Sequence, residues 1–213
     1  MSPRRAGTRP SRKAEQSRET QDRLLRAARQ LFTERGYAGT AMEDLVAKAG
    51  MTRGALYHQY RDKRDLFRAV FQMVEEDFGQ KIAMAAAGAG DPWAQLRAGA
   101  RAVLATATDP AVRRIVLTDG PSVLGWEEWR RIDAQYSLGM VRAIFEANVA
   151  AGNIAEQPLE PLTHLIVGAL NEASLAVAAA SDAAKAREEF ASAMERVLDA
   201  LRATAKSGRR RHQ

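Results

Sequence analysis

The chain has 213 residues, 46% of them hydrophobic, which suits one large domain or two small ones around a buried core and excludes a wholly disordered chain. It has no cysteine, so disulfides, thiolate metal sites and cysteine nucleophiles are excluded and a reducing cytoplasm is compatible. The net charge of +6 is unevenly placed: residues 1–64 hold 15 Lys and Arg against 7 Asp and Glu, and residues 65–213 hold 17 against 19.

A basic first third joined to a mildly acidic remainder points to a polyanion partner for the first part and another task for the second. A basic tail that only aids solubility would give the same balance. The opening MSPRRAGTRPSRKAEQ is basic without an apolar run behind it, so it is not a secretory signal. Residues 1–13 read as a mobile basic arm. Leu24, Leu25, Ala28, Leu31 and Phe32 recur with the helical period and predict a helix ending near Arg35, stopped by Gly36. Phe32 and Tyr37 are spaced for the apolar contact that accompanies such a stop.

Thr40 to Glu43 fits a capping box for a second helix carrying Met42, Leu45, Val46 and Ala49. Gly50 breaks it. Thr52 can cap a third helix, with Ala55, Leu56 and Tyr60 available to the core. Asp62 can cap a fourth, about twenty residues or roughly 30 Å long. Leu66, Phe67, Val70, Phe71, Val74, Phe78 and Ile82 form its apolar stripe.

Asp91-Pro92 and Asp109-Pro110 each pair an N-cap with a proline at the first helical position, starting helices near 92–107 and 110–118. Gly120 to Gly125 reads as a loop. Further helices are expected over 127–150, 161–180 and 182–205, with a basic tail over 206–213. The longest apolar-looking stretch, Leu165 to Ala180, is interrupted by Asn171 and Glu172 and reads as a buried helix too short and polar to span a bilayer. No alternating β pattern and no fixed-period repeat occurs, so the fold class is all-α, with about nine helices.

Residues 41–60, AMEDLVAKAGMTRGALYHQY, set two short helices either side of a glycine, the DNA-binding helix-turn-helix shape. Ala47 and Ala49 are small enough for close helix approach, and Gly50 makes the turn. The second helix opens with Thr52, Arg53 and Gly54, at the end that reaches base edges in the major groove. Arg53 can donate two hydrogen bonds to one guanine, a pair worth ~1–3 kcal/mol of discrimination. Gly54 lets the backbone come close. Tyr57 and His58 lie further along, placed for phosphates; a core role for Tyr57 and an ordinary surface role for His58 stay open. Arg18 and the other early arginines read as phosphate neutralisers.

Gly36-Tyr-x-Gly-Thr40, Glu43-Asp-Leu-Val-Ala-Lys-Ala-Gly50, Gly54-Ala-Leu-Tyr-His58 and Lys63-Arg-Asp-Leu-Phe67 together resemble the N-terminal domain of the TetR family of bacterial regulators, over about residues 14–70. Met42 and Gln59-Tyr60 depart from the family's commoner residues without disturbing the spacing. The resemblance implies an all-helical homodimer, usually a repressor, with a helix-turn-helix domain (14–65) and a helical effector-binding and dimerisation domain (66–205). By position it implies that Thr40, Tyr57, His58 and Lys63 hold phosphates and that Thr52, Arg53 and Gly54 face bases. A lysine opening a helix also opposes the helix dipole, which suits a neighbouring anion.

The remainder has no motif of comparable sharpness. Leu162, Leu165, Ile166, Ala169, Leu170, Ala173, Ala176, Val177 and Ala180 form one stripe rich in small residues, and Phe190, Met194, Val197, Leu198 and Leu201 form another. Two such helices meeting their symmetry mates would make a four-helix interface, with Leu165, Ala169, Ala173, Val177, Met194, Val197 and Leu201 in contact. The alternative is that both stripes are intramolecular core. Trp126, Trp129, Tyr136, Met140 and Phe145 can line a pocket for an apolar or aromatic effector, with Asn171 as its polar contact. A packed aromatic core with Asn171 satisfied locally is the competing reading.

His164 stands alone, no His/Asp/Glu group has metal-ligand spacing, and adjacent Glu127 and Glu128 point different ways on a helix. An enzyme reading is rejected and no cofactor is implied. The leading expectation is a cytoplasmic, ligand-released repressor. Its partners are double-stranded operator DNA, a second copy of itself and a small-molecule effector, with no membrane. A DNA-organising or effector-independent helix-turn-helix protein is the alternative, and a small-molecule carrier with an incidental basic end is a third.

Overall fold

The structure, a computed structural model, describes residues 12–208, with the side chains of residues 12–15, 17 and 203–208 excepted. Most of the expected arm and residues 209–213 of the tail lie outside the described residues. Arg12 and Lys13 are already helical, and the last helix continues to Gly208. Nine α-helices, one π-helical segment and no strand occur among the described residues.

Helix α1 (Arg12–Arg35) ends where Gly36 turns to φ 71°, its N–H donating to the Phe32 carbonyl at 2.9 Å. The Phe32 and Tyr37 rings stack at 6.1 Å, and Phe67 meets each edge-on at 5.2 Å. Helix α2 (Met42–Ala49) is capped one residue later than expected: Ala41 is its N-cap and donates its N–H to the Asp44 carboxylate at 3.3 Å. Thr40 has turned its hydroxyl inward instead. Gly50, at φ 61°, closes α2, and Thr52 caps α3 (Arg53–Gln59) by accepting from the Ala55 N–H at 3.2 Å. Ala49 is buried, but Ala47 is exposed, which corrects the expectation that both lie between helices.

Helix α4 (Lys63–Ala87) starts with the Asp62 carboxylate accepting the Asp65 N–H at 2.8 Å. The chain divides into two compact units between Val70 and Phe71, inside this helix. Leu24, Leu31, Phe32, Leu45, Leu56, Leu66 and Phe67 form the core of the first unit, all at most 3% exposed. Full burial of each such side chain contributes about 1.5–3 kcal/mol.

In the second unit, Asp91 caps α5 (Pro92–Thr106) by accepting from Trp93 and Ala94 at 2.9 and 3.0 Å. Asp109 likewise accepts from Ala111 and Val112 ahead of the π-helical segment π1 (Val112–Asp119). The expected loop at Gly120 to Gly125 is a short helix, α6 (Gly120–Leu124), ended by Gly125 at φ 82°. Proline is tolerated in a first helical turn, where its missing N–H costs nothing, so Pro121 does not break the chain there. Gly120 is required by packing: a β-carbon on it would lie 2.9 Å from both the Phe71 and Trp129 rings.

Helices α7 (Trp126–Ala150), α8 (Leu159–Ala179) and α9 (Ala183–Gly208) complete the unit. Trp93, Leu96, Leu104, Phe145, Leu162, Leu170, Met194 and Leu198 share one core. Asn148 is fully buried within it and donates to the Pro92 and Ile144 carbonyls, both at 2.8 Å. Helix α8 starts two residues earlier than expected and, at 21 residues, is long and apolar enough to cross a membrane by composition. Here half of it is buried in the protein, with Leu162, Ile166, Leu170 and Val177 in the core.

Candidate nucleic-acid interface and interior cavity

In the first unit the residues expected to face bases stand together at the start of α3. Thr52, Arg53 and Gly54 are all exposed. The Arg53 guanidinium lies 3.3 Å from the Glu43 carboxylate and 5.6 Å from the centre of the Tyr57 ring. Both partners are solvent-exposed, so the ion pair is worth at most ~1 kcal/mol and releases readily. Gly54 has ordinary backbone angles, and a β-carbon there would meet nothing within 4 Å. Nothing in the folded chain requires glycine at that position.

Tyr57 and His58 are exposed on α3 and Arg18 on α1. A core role for Tyr57 is thereby excluded. Two of the expected phosphate ligands are placed differently. Thr40 is 0% exposed, and its hydroxyl donates to the Gly36 carbonyl at 2.8 Å. Its side chain therefore has no face for a phosphate. Lys63 donates to the Tyr37 and Thr40 carbonyls at 2.9 and 3.0 Å, with its ammonium 4.3 Å from the centre of the Tyr37 ring. Two of its three N–H groups thus tie the start of α4 to the α1–α2 turn. The charge opposing the α4 dipole is compensated by carbonyls and a ring face inside the protein.

The second unit holds a cavity, partly open to solvent, between α4, α5, α7 and α8, with about 690 Å³ of atom-free space when the solvent at its edge is included. Its walls are mostly apolar: Phe78 and Ile82 from α4, Leu96, Ala100 and Val103 from α5, Met140 and Ile144 from α7, and Ile166 and Leu170 from α8. The polar exceptions are Glu75, Asp133, Tyr136, Ser137 and Asn171. Tyr136, Met140 and Asn171 are therefore among the expected lining residues that the structure brings together.

The other three are not in this wall. Trp126 is 62% exposed. Trp129 stacks on it at 4.9 Å, is itself buried, and donates its indole N–H to the Val116 carbonyl at 2.9 Å. It lines a smaller space beside π1. Phe145 is 0% exposed and packed in the core. A helix carries side chains around its whole circumference, and of the five expected α7 residues Tyr136 and Met140 are the two that face the cavity.

Glu75 and Asp133 were missed by sequence reasoning. Both stood in plain positional view: Glu75 lies four residues after Phe71 and three before Phe78, on the apolar face of α4. Asp133 holds the same relation to Trp129 and Tyr136 on α7. An acid on a core-facing register was the signal. Glu75 is 1% exposed, and its Oε1 has no hydrogen-bond partner. Burial, and secondarily the nearby Asp133 carboxyl, push the Glu75 carboxyl up to about 8. Asp133 accepts from the Asn171 amide at 2.8 Å and from Arg130 at 3.1 Å. Burial holds it above the usual carboxylate range, although Asn171 and Arg130 pull the other way. Burial also raises the Tyr136 phenol, with smaller contributions from Glu76 and Glu75. Asn171 thus both lines the cavity and has a local partner.

The α8 and α9 stripes divide. Ala173, Val177 and Met194 are buried within this chain, and Leu201 packs against the same core, so they are intramolecular. Leu165, at 71% exposure, Val197, at 49%, and Ala169 point outward, and Phe190 joins them.

Residues 24–70 match the family described as bacterial regulatory proteins, tetR family, and residues 93–201 match the tetracyclin repressor-like C-terminal domain. A crystal structure of a TetR-family transcriptional regulator from Pectobacterium atrosepticum is 34% identical, covers 90% of this chain and 97% of its own, and superposes with a TM-score of 0.79. The transcriptional regulator AcrR of Shigella flexneri is 32% identical over 104 residues, so the chain spans about half (48%) of that relative's length and the match covers 48% of this chain. The structure of RolR in complex with resorcinol, 20% identical with a TM-score of 0.68 over 90% of this chain and 95% of its own, shares the fold. The chain belongs to the TetR family of bacterial transcriptional regulators, which are DNA-binding proteins and not enzymes.

Proposed function

We propose that the protein represses transcription by binding a pseudo-palindromic operator as a homodimer, and that a small ligand entering the cavity releases it. The observation that carries this reading is the pairing, in one chain, of an outward-facing Thr52-Arg53-Gly54 end on α3 with a mostly apolar cavity in the second unit. Arg53 reads a guanine, Gly54 leaves room for the DNA backbone or a base edge, and Tyr57, His58 and Arg18 supply phosphate contacts. Lys63 and Thr40 act on DNA through the shape of the turn they hold rather than by touching phosphates. The exposed apolar residues Leu165, Ala169, Phe190 and Val197 suit pairing with a second copy.

Helix α4 gives Leu66 and Phe67 to the first core and Glu75 and Phe78 to the cavity wall. Ligand contact with Glu75 or Phe78 would bias the position of this helix, with a coupling of about 1–3 kcal/mol to operator affinity. The structural neighbour RolR is described with the phenolic ligand resorcinol, which supports an occupied cavity in this fold. A regulator that binds its operator in this way acts in the cytoplasm.

Sequencing the DNA that the full chain retains from its own genome, with sedimentation at micromolar concentration, tests the reading. Short palindromic sites and a dimer are expected. Weak coverage everywhere that vanishes steeply with salt would instead indicate a DNA-organising protein.

A further inference from the structure

The cavity is apolar except for one cluster, in which two carboxyls meet a single guanidinium. Two carboxyls, Glu75 on α4 and Asp133 on α7, are buried against it. The cation that meets them is Arg130, which is bonded to Asp133. Around Glu75, α4 adds Glu76, and α7 adds Asp133, Tyr136 and Arg130. Helix α8 presents the neutral Asn171 and Ser174, and the lining residues of α5 and π1 include no titratable side chain. Glu75 Oε1 and Ser137 Oγ are both buried without a hydrogen-bond partner. A buried polar atom left unpaired costs about 1–3 kcal/mol, so these two atoms mark a place where a partner belongs.

We infer that the cavity takes an amphipathic organic cation, its ammonium or amidinium group seated beside Glu75, Ser137 and Asp133 and its apolar body against Ile82, Val103 and Met140. This rests on the ligand-responsive reading above and names the chemical class of the ligand. A neutral hydroxyl would satisfy Glu75 Oε1 but would draw nothing from the second carboxyl beside it. A cation pairs with Glu75 as a carboxylate while Arg130 keeps Asp133, and an ammonium offers three donors to the three acceptors. When it enters, the Glu75 O–H bond breaks and the proton passes to the buffer, leaving a carboxylate paired with the ligand. Because the free carboxyl sits at about 8, only its ionised fraction is competent below that pH. That fraction falls about tenfold per pH unit, and apparent affinity falls with it.

The test uses the full-length protein with two probes of one shape, 4-phenylbutylamine and 4-phenylbutan-1-ol, titrated calorimetrically from about pH 6 to pH 8.5 in buffers of different ionisation enthalpy. The amine should bind more tightly than the alcohol. Its affinity should rise about tenfold per pH unit at first and level above about pH 8, with close to one proton released near pH 7. The alcohol should show neither the rise nor the proton. In Glu75→Gln, checked for unchanged helical content, the amine's pH dependence and proton release should vanish. Equal affinities, a preference for the alcohol, or no detectable amine binding overturns the inference, and the wild-type comparison decides this even if the variant does not fold. Operator retention is read separately on the recovered DNA. Retention without cation binding removes only the ligand class, whereas failure to retain any specific DNA removes the regulator reading itself.

Discussion

Thr52, Arg53, Gly54, Tyr57 and His58 lie within seven consecutive residues, and all are exposed. Glu75, Asp133 and Asn171 come from three helices up to 96 positions apart and are gathered around one cavity, the two acids buried out of solvent. The first unit therefore holds its partner-facing chemistry on its outer surface, where truncation should change binding and leave the fold intact. The second holds its chemistry inside, where the same atoms serve binding and carry a cost in stability. Polar groups are cheap in water and expensive in an apolar interior, and that asymmetry separates the two sites.

The sharpest break with this contrast would come from Phe145, an interior residue that touches no cavity. Phe145→Ala should lose about 3–5 kcal/mol in urea denaturation, the usual cost of emptying a packed aromatic site. A loss below about 1 kcal/mol would mean that the second unit is not packed as described. Next is the Glu75 carboxyl. Folded, it sits at about 8 rather than at 4.5, so between those values the native state binds more protons than the unfolded chain. Its contribution to stability is therefore greatest below pH 4.5 and is lost as pH rises to about 8. At ~1.4 kcal/mol per pH unit, the loss is on the order of a few kcal/mol. Melting curves of wild type and Glu75→Gln should diverge with rising pH, the variant becoming the more stable; parallel curves would mean that Glu75 ionises freely in the fold.

Smaller effects separate Arg53 from Lys63. Arg53→Ala should cost ~1–3 kcal/mol of discrimination at one operator position, with stability unchanged within ~0.5 kcal/mol. Lys63→Ala should instead lose about 2 kcal/mol of stability, because two carbonyls forfeit a charged donor. An unchanged melting temperature for Lys63→Ala, with uniformly weaker DNA binding, would return Lys63 to a phosphate-holding role. Arg18→Ala should have the least effect, lowering affinity equally across operator sequences and reducing the salt slope by about 1.

The helices of the first unit were legible because each stop and start is a local event. Gly36 and Gly50 take positive φ, and Thr52 and Asp62 bond N–H groups three residues on. Such chemistry is complete within a single turn of chain. Where a local pattern misled, a tertiary contact won. Thr40 had the spacing of a cap but went inward to the Gly36 carbonyl, leaving the cap to Ala41 and Asp44. Lys63 had the position of an anion ligand but was taken by Tyr37 and Thr40 carbonyls more than twenty residues away. Gly120-Pro121 carried two breakers yet opens a helix, because proline is tolerated in a first turn and the glycine answers to packing, where Phe71 and Trp129 leave no room for a β-carbon.

By itself the sequence determined an all-α chain, the register of the helix-turn-helix and the face of α3 that looks outward, because hydrophobic period, caps and turns act over a few residues. It also determined that α8 and α9 carry apolar stripes. Only the tertiary structure decided which of those stripe residues are consumed inside the chain, as Ala173, Val177 and Met194 are, and which remain outside, as Leu165 and Val197 do. It likewise decided that Glu75 and Asp133 share one cavity while Trp126 and Phe145 do not. A helix offers every side chain to some direction, and which direction is solvent, core or cavity is set by helices that are distant in sequence.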